Sequence, residues 1–453
     1  MMREPAFTLL PRPDPMPLAG KRVLVLGLGD TGLAVARWVE RAGAKVRVAD
    51  TRNAPPRRAD FAGELRTGAF SRSLLDSVDL VCISPGLSLE NEVIAGATEK
   101  GIPVLGDVEL FAWQNAAKVL AVTGTNGKTT VASLTGHLLK TAGIDCEVAG
   151  NIGPPVLEAL MRRAAPPACW VLELSSYQLE TTWSLEPDAA AMLNLSEDHL
   201  DRYAGLREYG AAKSRIFEGR GVQVLNRGDA RSLAMARPHR KCISFGIDQP
   251  PRDDDWGVVD KTWLARGRSR ILEVTHLPIY GWHNVANALA ACALAHAIGI
   301  PLEKLAAGLR TFKGLPHRLQ RIAVRHGVEW YDDSKGTNVG ATDAALRGLN
   351  RKALLILGGE GKGQDFSVLR DSVARFARRA LLIGRDAPLI EKALAGLPVE
   401  RCSSLDEAVQ RAADLSQPGD AVLLSPACAS FDMFRDYRHR GDAFAAAVDR
   451  LGP

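Results

Sequence analysis

The sequence lacks the features that define several large classes of protein. No stretch approaches the roughly 18 consecutive apolar residues of a membrane-spanning helix. The Pro-rich N-terminus has neither the basic start nor the continuous apolar core of a secretory signal peptide. The seven cysteines stand singly with no CxxC pair, which argues against a disulfide framework or a cysteine zinc site. These absences favour buried, reduced thiols in a cytoplasmic protein.

The chain also has little excess of one sign of charge over the other. The 57 Lys and Arg residues against 52 Asp and Glu leave a net charge of +5. On 453 residues this excess is too small to indicate nucleic-acid binding, although a local basic cluster would suit a small anionic substrate. The hydrophobic fraction of 46% and the charged fraction of 24% exclude a disordered, collagen-like or coiled-coil chain.

Short β-rich apolar runs alternate with segments of helical period along the chain. Residues 23–26, 119–122 and 354–357 are examples of the former. This alternation predicts an α/β protein with mainly parallel sheets. Turns near Gly106 and at Gly314-Leu-Pro316 divide the chain into domains of residues 1–107, 108–314 and 315–453. We expect a Rossmann-like first domain, a central P-loop ATPase-type domain and a Rossmann-like third domain.

The first domain begins with a strand that runs into a glycine-rich turn. Gly27, Gly29 and Gly32 have the spacing that lets a backbone approach a phosphate at a helix N-terminus. Asp50 ends the next strand, 21 positions after Gly29, where a dinucleotide-binding fold places a ribose-binding acid. Three interpretations remain open: a nicotinamide cofactor, a different nucleotide ligand, or glycines needed only for packing of the turn.

The second domain carries a phosphate-loop pattern. A strand leads into Gly124-Thr-Asn-Gly-Lys-Thr-Thr130, which opens a helix. Backbone N–H groups of such a loop cradle phosphate oxygens, Lys128 neutralises their charge, and the Thr129 hydroxyl can bind Mg²⁺. The spacing is shorter than the common form, because two residues rather than four separate Gly124 from Gly127-Lys128. We predict a nucleoside triphosphate site with Mg²⁺.

Two further residues follow strands of the same domain. Glu173 ends one strand, and His199 comes after another. Because the carboxyl ends of parallel strands face the ligand crevice, both are predicted metal ligands near the phosphate loop.

A set of motifs occurs in one order along nearly the whole chain. The members are Thr123-Gly-Thr-Asn-Gly-Lys-Thr-Thr130, Gly150-Asn-Ile-Gly153, Glu173-Leu-Ser-Ser-Tyr-Gln-Leu-Glu180, Asp198-His-Leu-Asp-Arg-Tyr203, Gly281-Trp-His-Asn-Val-Ala-Asn287, Leu315-Pro-His-Arg318 and Asp333-Ser-Lys-Gly-Thr-Asn338. The set resembles the Mur ligase family of ATP-dependent amide-forming enzymes in peptidoglycan precursor synthesis. One local departure is Gly336, where Ala is more usual.

Within that family the chain is most similar to the members that add D-glutamate. The similarity rests on the first-domain run Asp50-Thr-Arg52 and on two third-domain runs, residues 357–366 and 424–434. The resemblance implies ATP and Mg²⁺ as cofactors, and UDP-N-acetylmuramoyl-L-alanine and D-glutamate as substrates. It also implies a monomer with no nucleic-acid or membrane partner.

The resemblance implies individual roles as well. ATP would contact Gly124, Thr125, Asn126, Gly127, Lys128, Thr129, Thr130, Asn284, Asn287, Arg318, Asp333 and Lys335. The UDP-substrate would contact Asp30, Thr31, Gly32, Asp50, Thr51, Arg52, Gly86, Asn151 and His199. D-glutamate would contact Thr337, Lys362, Ser430 and Tyr437, the last standing where Phe is familiar. Mg²⁺ would be held by Thr129, Glu173, His199 and a carbamylated Lys213, and the catalytic set would be Lys128, Glu173, His199 and Lys213.

Three of these positions also suit simple helix capping. Asn284 and Asn287 lie one helical turn apart. Ser430 is a favoured N-cap residue for a helix beginning near Phe431.

Two other classes of enzyme explain part of the pattern. A folate polyglutamate synthase shares a similar phosphate loop, but it does not account for the first domain or the C-terminal motifs. A nicotinamide dehydrogenase accounts for residues 27–32 but leaves Lys128 and Lys362 without a function.

Overall fold

The computed structural model describes residues 10–198 and 202–452. The described chain divides into two compact units. The first contains residues 10–195, 202–245 and 290–305, and the second contains residues 196–198, 246–289 and 306–452. Within the described residues, no helix combines the length and the apolar character needed to cross a membrane.

The first unit begins with a five-stranded parallel sheet in the order β3-β2-β1-β4-β5. Its central strands are buried on both faces, as the near-continuous Val, Leu and Ile runs predict. The strands are β1 Arg22–Leu26, β2 Lys45–Asp50, β3 Glu64–Thr67, β4 Leu80–Ile83 and β5 Val104–Leu105, and the helices are α1 Asp30–Arg41 and α2 Glu92–Glu99.

Six further parallel strands of the first unit lie in the order β7-β8-β6-β9-β10-β11. The strands are β6 Lys118–Thr123, β7 Cys146–Gly150, β8 Cys169–Glu173, β9 Ala189–Met192, β10 Val222–Asn226 and β11 Cys242–Phe245. The helices are α3 Asp107–Gln114, α4 Lys128–Thr141, α5 Val156–Arg162, α6 Ser176–Glu180, α7 Leu206–Ser214 and α8 Ala230–Leu233. Because β6 lies between β8 and β9, the loops after these three strands meet at one edge.

The second unit contains an antiparallel meander and a mostly parallel sheet. The meander is β12 Trp256–Val259, β13 Trp263–Arg266 and β14 Ser269–Glu273. The sheet has the order β15-β16-β20-β17-β18-β19, in which only the β15–β16 pair is antiparallel. Its strands are β15 Gln320–Arg325, β16 Val328–Asp332, β17 Ala353–Gly358, β18 Ala377–Ile383, β19 Val399–Arg401 and β20 Ala421–Leu424.

Seven helices complete the described chain. Helices α9 Trp282–Ala297 and α10 Leu302–Thr311 precede β15. Four helices connect strands of the second unit's sheet, and a fifth follows its last strand. In order they are α11 Val339–Leu349, α12 Arg370–Phe376, α13 Ala387–Ala393, α14 Leu405–Leu415 and α15 Tyr437–Arg450. Buried aliphatic side chains fill both faces of this sheet. The α/β fold with mainly parallel sheets, predicted from the sequence, is therefore confirmed.

Candidate active site

The phosphate loop connects the end of β6 to the start of α4. Gly127 has a φ of 86° and lies immediately before Lys128, the first residue of the helix. Gly124 has a φ of 147°, and a Cβ there would lie 3.0 Å from Cβ of Leu193, at the end of the neighbouring strand β9. Both positions therefore require glycine, for left-handed backbone and for close approach of two chains.

Asn194, which follows β9, holds this loop from the side. Its Oδ1 accepts a hydrogen bond from the Asn126 N–H at 2.8 Å, and its Nδ2 donates to the Asn126 carbonyl at 3.0 Å. Its own carbonyl accepts from the Thr125 N–H at 2.9 Å. The sequence reasoning missed Asn194, whose only signal is its place after a strand beside β6.

Two ammonium groups converge on the same loop carbonyl. Nζ of Lys128 donates to the carbonyls of Gly124 at 2.8 Å and Thr125 at 2.9 Å. Nζ of Lys213, on α7, donates to the Gly124 carbonyl at 3.0 Å and lies 4.6 Å from the Tyr209 ring centroid. Lys213 is only 1% exposed. Concentrated positive charge of this kind, partly shielded from water, suits a polyphosphate.

A buried carboxylate lies at the end of β8, next to β6. Glu173 is 1% exposed, and its Oε1 accepts a hydrogen bond from Nδ2 of Asn151 at 2.7 Å. Its Oε2 is buried and has no hydrogen-bond partner among the described residues. A buried charged oxygen left without a partner is costly, so this atom fits a cation ligand.

The predicted metal site can be examined only in part, because His199 lies outside the described residues. In residues 10–198 and 202–452, no group of three or more His, Cys, Asp or Glu side chains is placed to hold a metal ion. Mg²⁺ in phosphate-binding enzymes uses one or two carboxylates together with substrate phosphates and water. Glu173, with the Thr129 hydroxyl on the first turn of α4, fits that requirement.

Most of the residues predicted for the UDP-substrate lie at the carboxyl ends of β1, β2 and β4. Asn151 instead follows β7, and His199 lies outside the described residues. The Asp50 carboxylate, 2% exposed, accepts hydrogen bonds from the Leu28 N–H at 2.7 Å, from the Arg52 N–H at 2.9 Å, and from the Arg52 guanidinium at 2.8 and 2.7 Å. The Arg52 guanidinium lowers the pKa of Asp50 to about 2. Asp50 thus fixes both the glycine-rich turn and the side chain of Arg52.

The other residues of this group surround that turn. Asp30 and Thr31 begin α1, and Asp30 accepts a hydrogen bond from Nε of the exposed Arg57 at 2.6 Å. Gly32 needs glycine, since a Cβ there would lie 1.8 Å from the Gly27 carbonyl oxygen. Thr51 and Gly86 are exposed.

In the second unit, three loops follow the adjacent strands β16, β20 and β17. Asp333 lies in the first loop; its Oδ1 accepts from the Leu319 N–H at 3.1 Å and its Oδ2 accepts from the Ser425 hydroxyl at 2.8 Å. Burial raises the pKa of Asp333 to about 7. A Cβ at Gly336 would lie 2.6 Å from Oδ2 of Asp333, so an Ala at this position would need the Asp333 carboxylate to shift.

The other two loops are joined to each other and carry Lys362 and Ser430. Glu360 and Ala429 exchange backbone hydrogen bonds of 3.0 and 2.9 Å. Lys362 is exposed with a φ of 51°, while Ser430 is buried. Residues 431–433 form turns, so the expected helix beginning near Phe431 is wrong, because the Phe434 N–H returns to the Ser430 carbonyl at 2.7 Å and closes a single turn.

Arg440, on α15, links the loops after β16 and β20 and was missed by the sequence reasoning. It is 1% exposed and donates to the Ser334 carbonyl at 2.8 Å, to the Ser334 hydroxyl at 3.0 Å, and to the carbonyls of Cys428 at 3.1 Å and Ala429 at 3.3 Å. Burial lowers the pKa of Arg440 to about 10, so the guanidinium stays charged at neutral pH.

Tyr437 begins α15, whose N-cap is Asp436. Nζ of Lys335 lies 4.1 Å from the centroid of the Tyr437 ring, and the Tyr437 carbonyl accepts from the Ser334 hydroxyl at 2.7 Å. Thr337 lies in the same loop as Lys335 and donates its N–H to the Lys335 carbonyl at 2.9 Å. This arrangement brings the predicted D-glutamate residues and part of the predicted ATP residues to one sheet edge.

The remaining ATP candidates also lie in the second unit. Asn284 donates from Nδ2 to the Tyr280 carbonyl at 2.7 Å and accepts from Nδ2 of Asn287 at 3.0 Å on its Oδ1. Next to Arg318, Nδ1 of His317 bonds to Oδ2 of Asp332 at 2.7 Å, and this contact raises the pKa of His317.

Comparisons with known proteins cover almost the whole chain. Three family models match in sequence order: the Mur ligase MurD-like N-terminal domain at residues 21–106, the Mur ligase middle domain at 122–295, and the Mur ligase glutamate ligase domain at 317–428. A UDP-N-acetylmuramoylalanine–D-glutamate ligase from Aromatoleum aromaticum is 53% identical, over 96% of this chain and 98% of the relative. The enzyme of the same name from Thiobacillus denitrificans is 52% identical, over 97% and 98%.

A solved structure supports the fold independently. The UDP-N-acetylmuramate–alanine ligase of Thermotoga maritima superposes with a TM-score of 0.61 over 95% of this chain and all of its own, at 18% identity. The expected three-domain α/β architecture is thereby confirmed. With relatives about half identical over nearly its full length and three matching family models in order, the chain belongs to the Mur ligase family.

Proposed function

We propose that this chain is an ATP-dependent ligase that joins D-glutamate to UDP-N-acetylmuramoyl-L-alanine. The name and near-full-length similarity of the relatives support this choice of substrates. The observation that carries the chemistry is the phosphate loop, where Lys128 donates to the carbonyls of Gly124 and Thr125. At the same sheet edge, Oε2 of Glu173 has no hydrogen-bond partner among the described residues.

The reaction needs activation because carboxylate oxygens are poor leaving groups. The carboxylate of the UDP-substrate attacks the γ-phosphorus of ATP, ADP leaves, and an acyl phosphate forms. The amine of D-glutamate then attacks the acyl carbon, the tetrahedral intermediate collapses, and inorganic phosphate leaves with the former carboxylate oxygen. Three anionic reactants must meet, so the chain must screen their repulsion.

Lys128 supplies one fixed positive charge for the transferred phosphoryl group. Glu173, Thr129, His199 and a carbamylated Lys213 would hold Mg²⁺, which when bound neutralises phosphate charge.

The first sheet would bind the UDP end. We assign this contact to Asp30, Thr31, Gly32, Thr51, Arg52 and Gly86. Asn151, after β7, would also contact the UDP-substrate, with His199 at its reacting end. Asp50 acts by holding Arg52 and the Leu28 turn, since its four main acceptor positions are already used.

D-glutamate would bind to the loops of the second unit. Lys362 offers an exposed charge for a carboxylate, and Thr337, Ser430 and Tyr437 lie on the loops and helix held by Arg440. Asn284, Asn287, Arg318, Asp333 and Lys335 complete the proposed ATP contacts. We keep the boundaries 1–107, 108–314 and 315–453, and we propose a monomer, as the family resemblance implies. We also propose a cytoplasmic location, where small soluble anionic substrates of this kind would be available.

Phosphate release tests the proposal. Release should require ATP, Mg²⁺, UDP-N-acetylmuramoyl-L-alanine and D-glutamate together, and L-glutamate should not replace the D isomer. Lys128→Ala should lower the rate by about 10²- to 10³-fold. Lys118→Ala should not, because Lys118 is the exposed first residue of β6, the strand that leads into the phosphate loop. Release that is indifferent to the glutamate isomer, or a fully active Lys128→Ala protein, would overturn the proposal.

A further inference from the structure

Two motifs of the sequence end in residues that the proposed chemistry does not use. The first begins at the metal-ligand candidate Glu173 and ends at Glu180, on α6. The second contains His199 and ends at Arg202 and Tyr203. Glu180 and Tyr203 are buried and Arg202 is largely buried. A carboxylate, a guanidinium and a phenol at such depth need a structural or functional reason.

The three side chains meet one another. Oε1 of Glu180 accepts the Tyr203 hydroxyl at 2.5 Å, and its Oε2 accepts Nη2 of Arg202. Burial raises the pKa of Tyr203, so the phenol remains a donor. The Arg202 guanidinium also lies 4.3 Å from the ring centroid of Tyr177. Glu180 and Tyr177 together therefore fix the plane of the guanidinium.

The other nitrogen of Arg202 reaches a turn of the first sheet. Nη1 donates to the Leu87 carbonyl at 2.7 Å and to the Pro85 carbonyl at 3.4 Å. These two carbonyls flank Gly86, which is exposed at the tip of the turn. The base of the turn touches the glycine-rich turn after β1, because the Ser84 hydroxyl donates to the Gly27 carbonyl at 3.2 Å.

We infer that Arg202, held in place by Glu180, is a positioning residue that fixes the turn of residues 84–87 and thereby the binding site for the UDP-substrate. The inference rests on the proposed function for the identity of that substrate. A planar guanidinium can bond a carboxylate with one nitrogen and a carbonyl with another, whereas a lysine ammonium is a single point charge.

Arg202→Lys tests the inference, because it keeps a cation beside Glu180 but removes the planar guanidinium, whose second nitrogen donates to the turn. We expect the KM for UDP-N-acetylmuramoyl-L-alanine to rise about tenfold or more, with the KM values for ATP and D-glutamate and the kcat changing less than about threefold. Hydrogen exchange at the Leu87 amide, which donates to the Ser84 carbonyl at 3.0 Å, should accelerate without any ligand. Arg163→Lys is the matched control, because Arg163 also bonds carboxylates and a carbonyl, those of Asp145, Glu147 and Ala165.

The hydrogen exchange at Leu87 and the three KM values of Arg202→Lys together decide whether Arg202 positions the turn. Unchanged exchange at Leu87, or an unchanged KM for the UDP-substrate, would overturn the inference. A uniform loss of kcat with all three KM values raised would assign Arg202 a merely structural role and would also overturn it. If the wild-type protein fails to bind the UDP-substrate, the proposed function is wrong, while exchange at Leu87 still decides whether Arg202 holds the turn.

Discussion

Replacing Asp50 by Asn should destabilise the first sheet in a pH-dependent manner. The substitution keeps the size of the side chain but removes the charge that accepts four hydrogen bonds from Leu28 and Arg52. These contacts lower the pKa of Asp50 from 3.8 to about 2. At 1.36 kcal/mol for each pKa unit, a shift of this size corresponds to about 2 kcal/mol at pH 7, which solvent screening of the half-exposed Arg52 guanidinium reduces to about 1 to 2 kcal/mol.

The direction of the pH effect follows from the depressed pKa. The stabilisation is fully present above the ordinary pKa of 3.8 and is lost as the pH falls towards the folded-state value of about 2. Roughly half of the difference between wild type and Asp50→Asn should therefore be gone at pH 3.

Native-state hydrogen exchange measures this effect where it acts. The free energy of opening of the β1–β2 pair should be followed for both proteins from pH 7 to pH 3. Asp79→Asn is the control, because Asp79 is exposed and accepts one backbone hydrogen bond, from Arg22 at 2.8 Å. A difference below about 0.5 kcal/mol at pH 7, or one that does not shrink on acidification, would refute the reasoning.

Three further predictions concern the proposed active site. Glu173→Ala and His199→Ala should raise the Mg²⁺ concentration needed for half-maximal activity more than the KM for D-glutamate; unchanged magnesium titrations would reject the metal assignment. Lys213→Ala should be rescued in part by short carboxylic acids, which replace the carbamate oxygens, and a mass spectrum of unmodified Lys213 in active, metal-loaded enzyme would contradict this. Lys362→Ala should raise the KM for D-glutamate roughly 10- to 150-fold, because a charge-assisted contact to a carboxylate is lost; a rise confined to the KM for the UDP-substrate would show that the two substrates were assigned to the wrong domains.

Local signals made the phosphate loop predictable from the sequence. Residues 118–130 contain a strand, two glycines whose φ angles are positive, and a lysine at the first position of a helix. The alternation of apolar strands and helices likewise indicated parallel sheets. By contrast, the antiparallel strands β12 to β14 were missed, because runs of four or five residues are too short to show a clear period.

The residues that hold the loops in place could not be predicted in the same way. Asn194 is 68 positions from its partner Asn126, and Arg440 is 106 positions from Ser334. Such contacts exist only after the strands have been ordered in a sheet. A lone Asn after a strand or a lone Arg on a helix is normally solvated, so neither residue stands out in the sequence.

The contacts of Arg440 have a consequence for the variation that this site can tolerate. Its partners are mainly backbone carbonyls, at Ser334, Cys428 and Ala429. A carbonyl keeps its place when its side chain is replaced, but it moves when a residue is inserted or deleted. The two loops should therefore accept changes of side chain at these positions much more readily than changes of length. Random insertion libraries should find the loops after β16 and β20 among the least permissive in the chain, although loops are usually the places where proteins absorb extra residues.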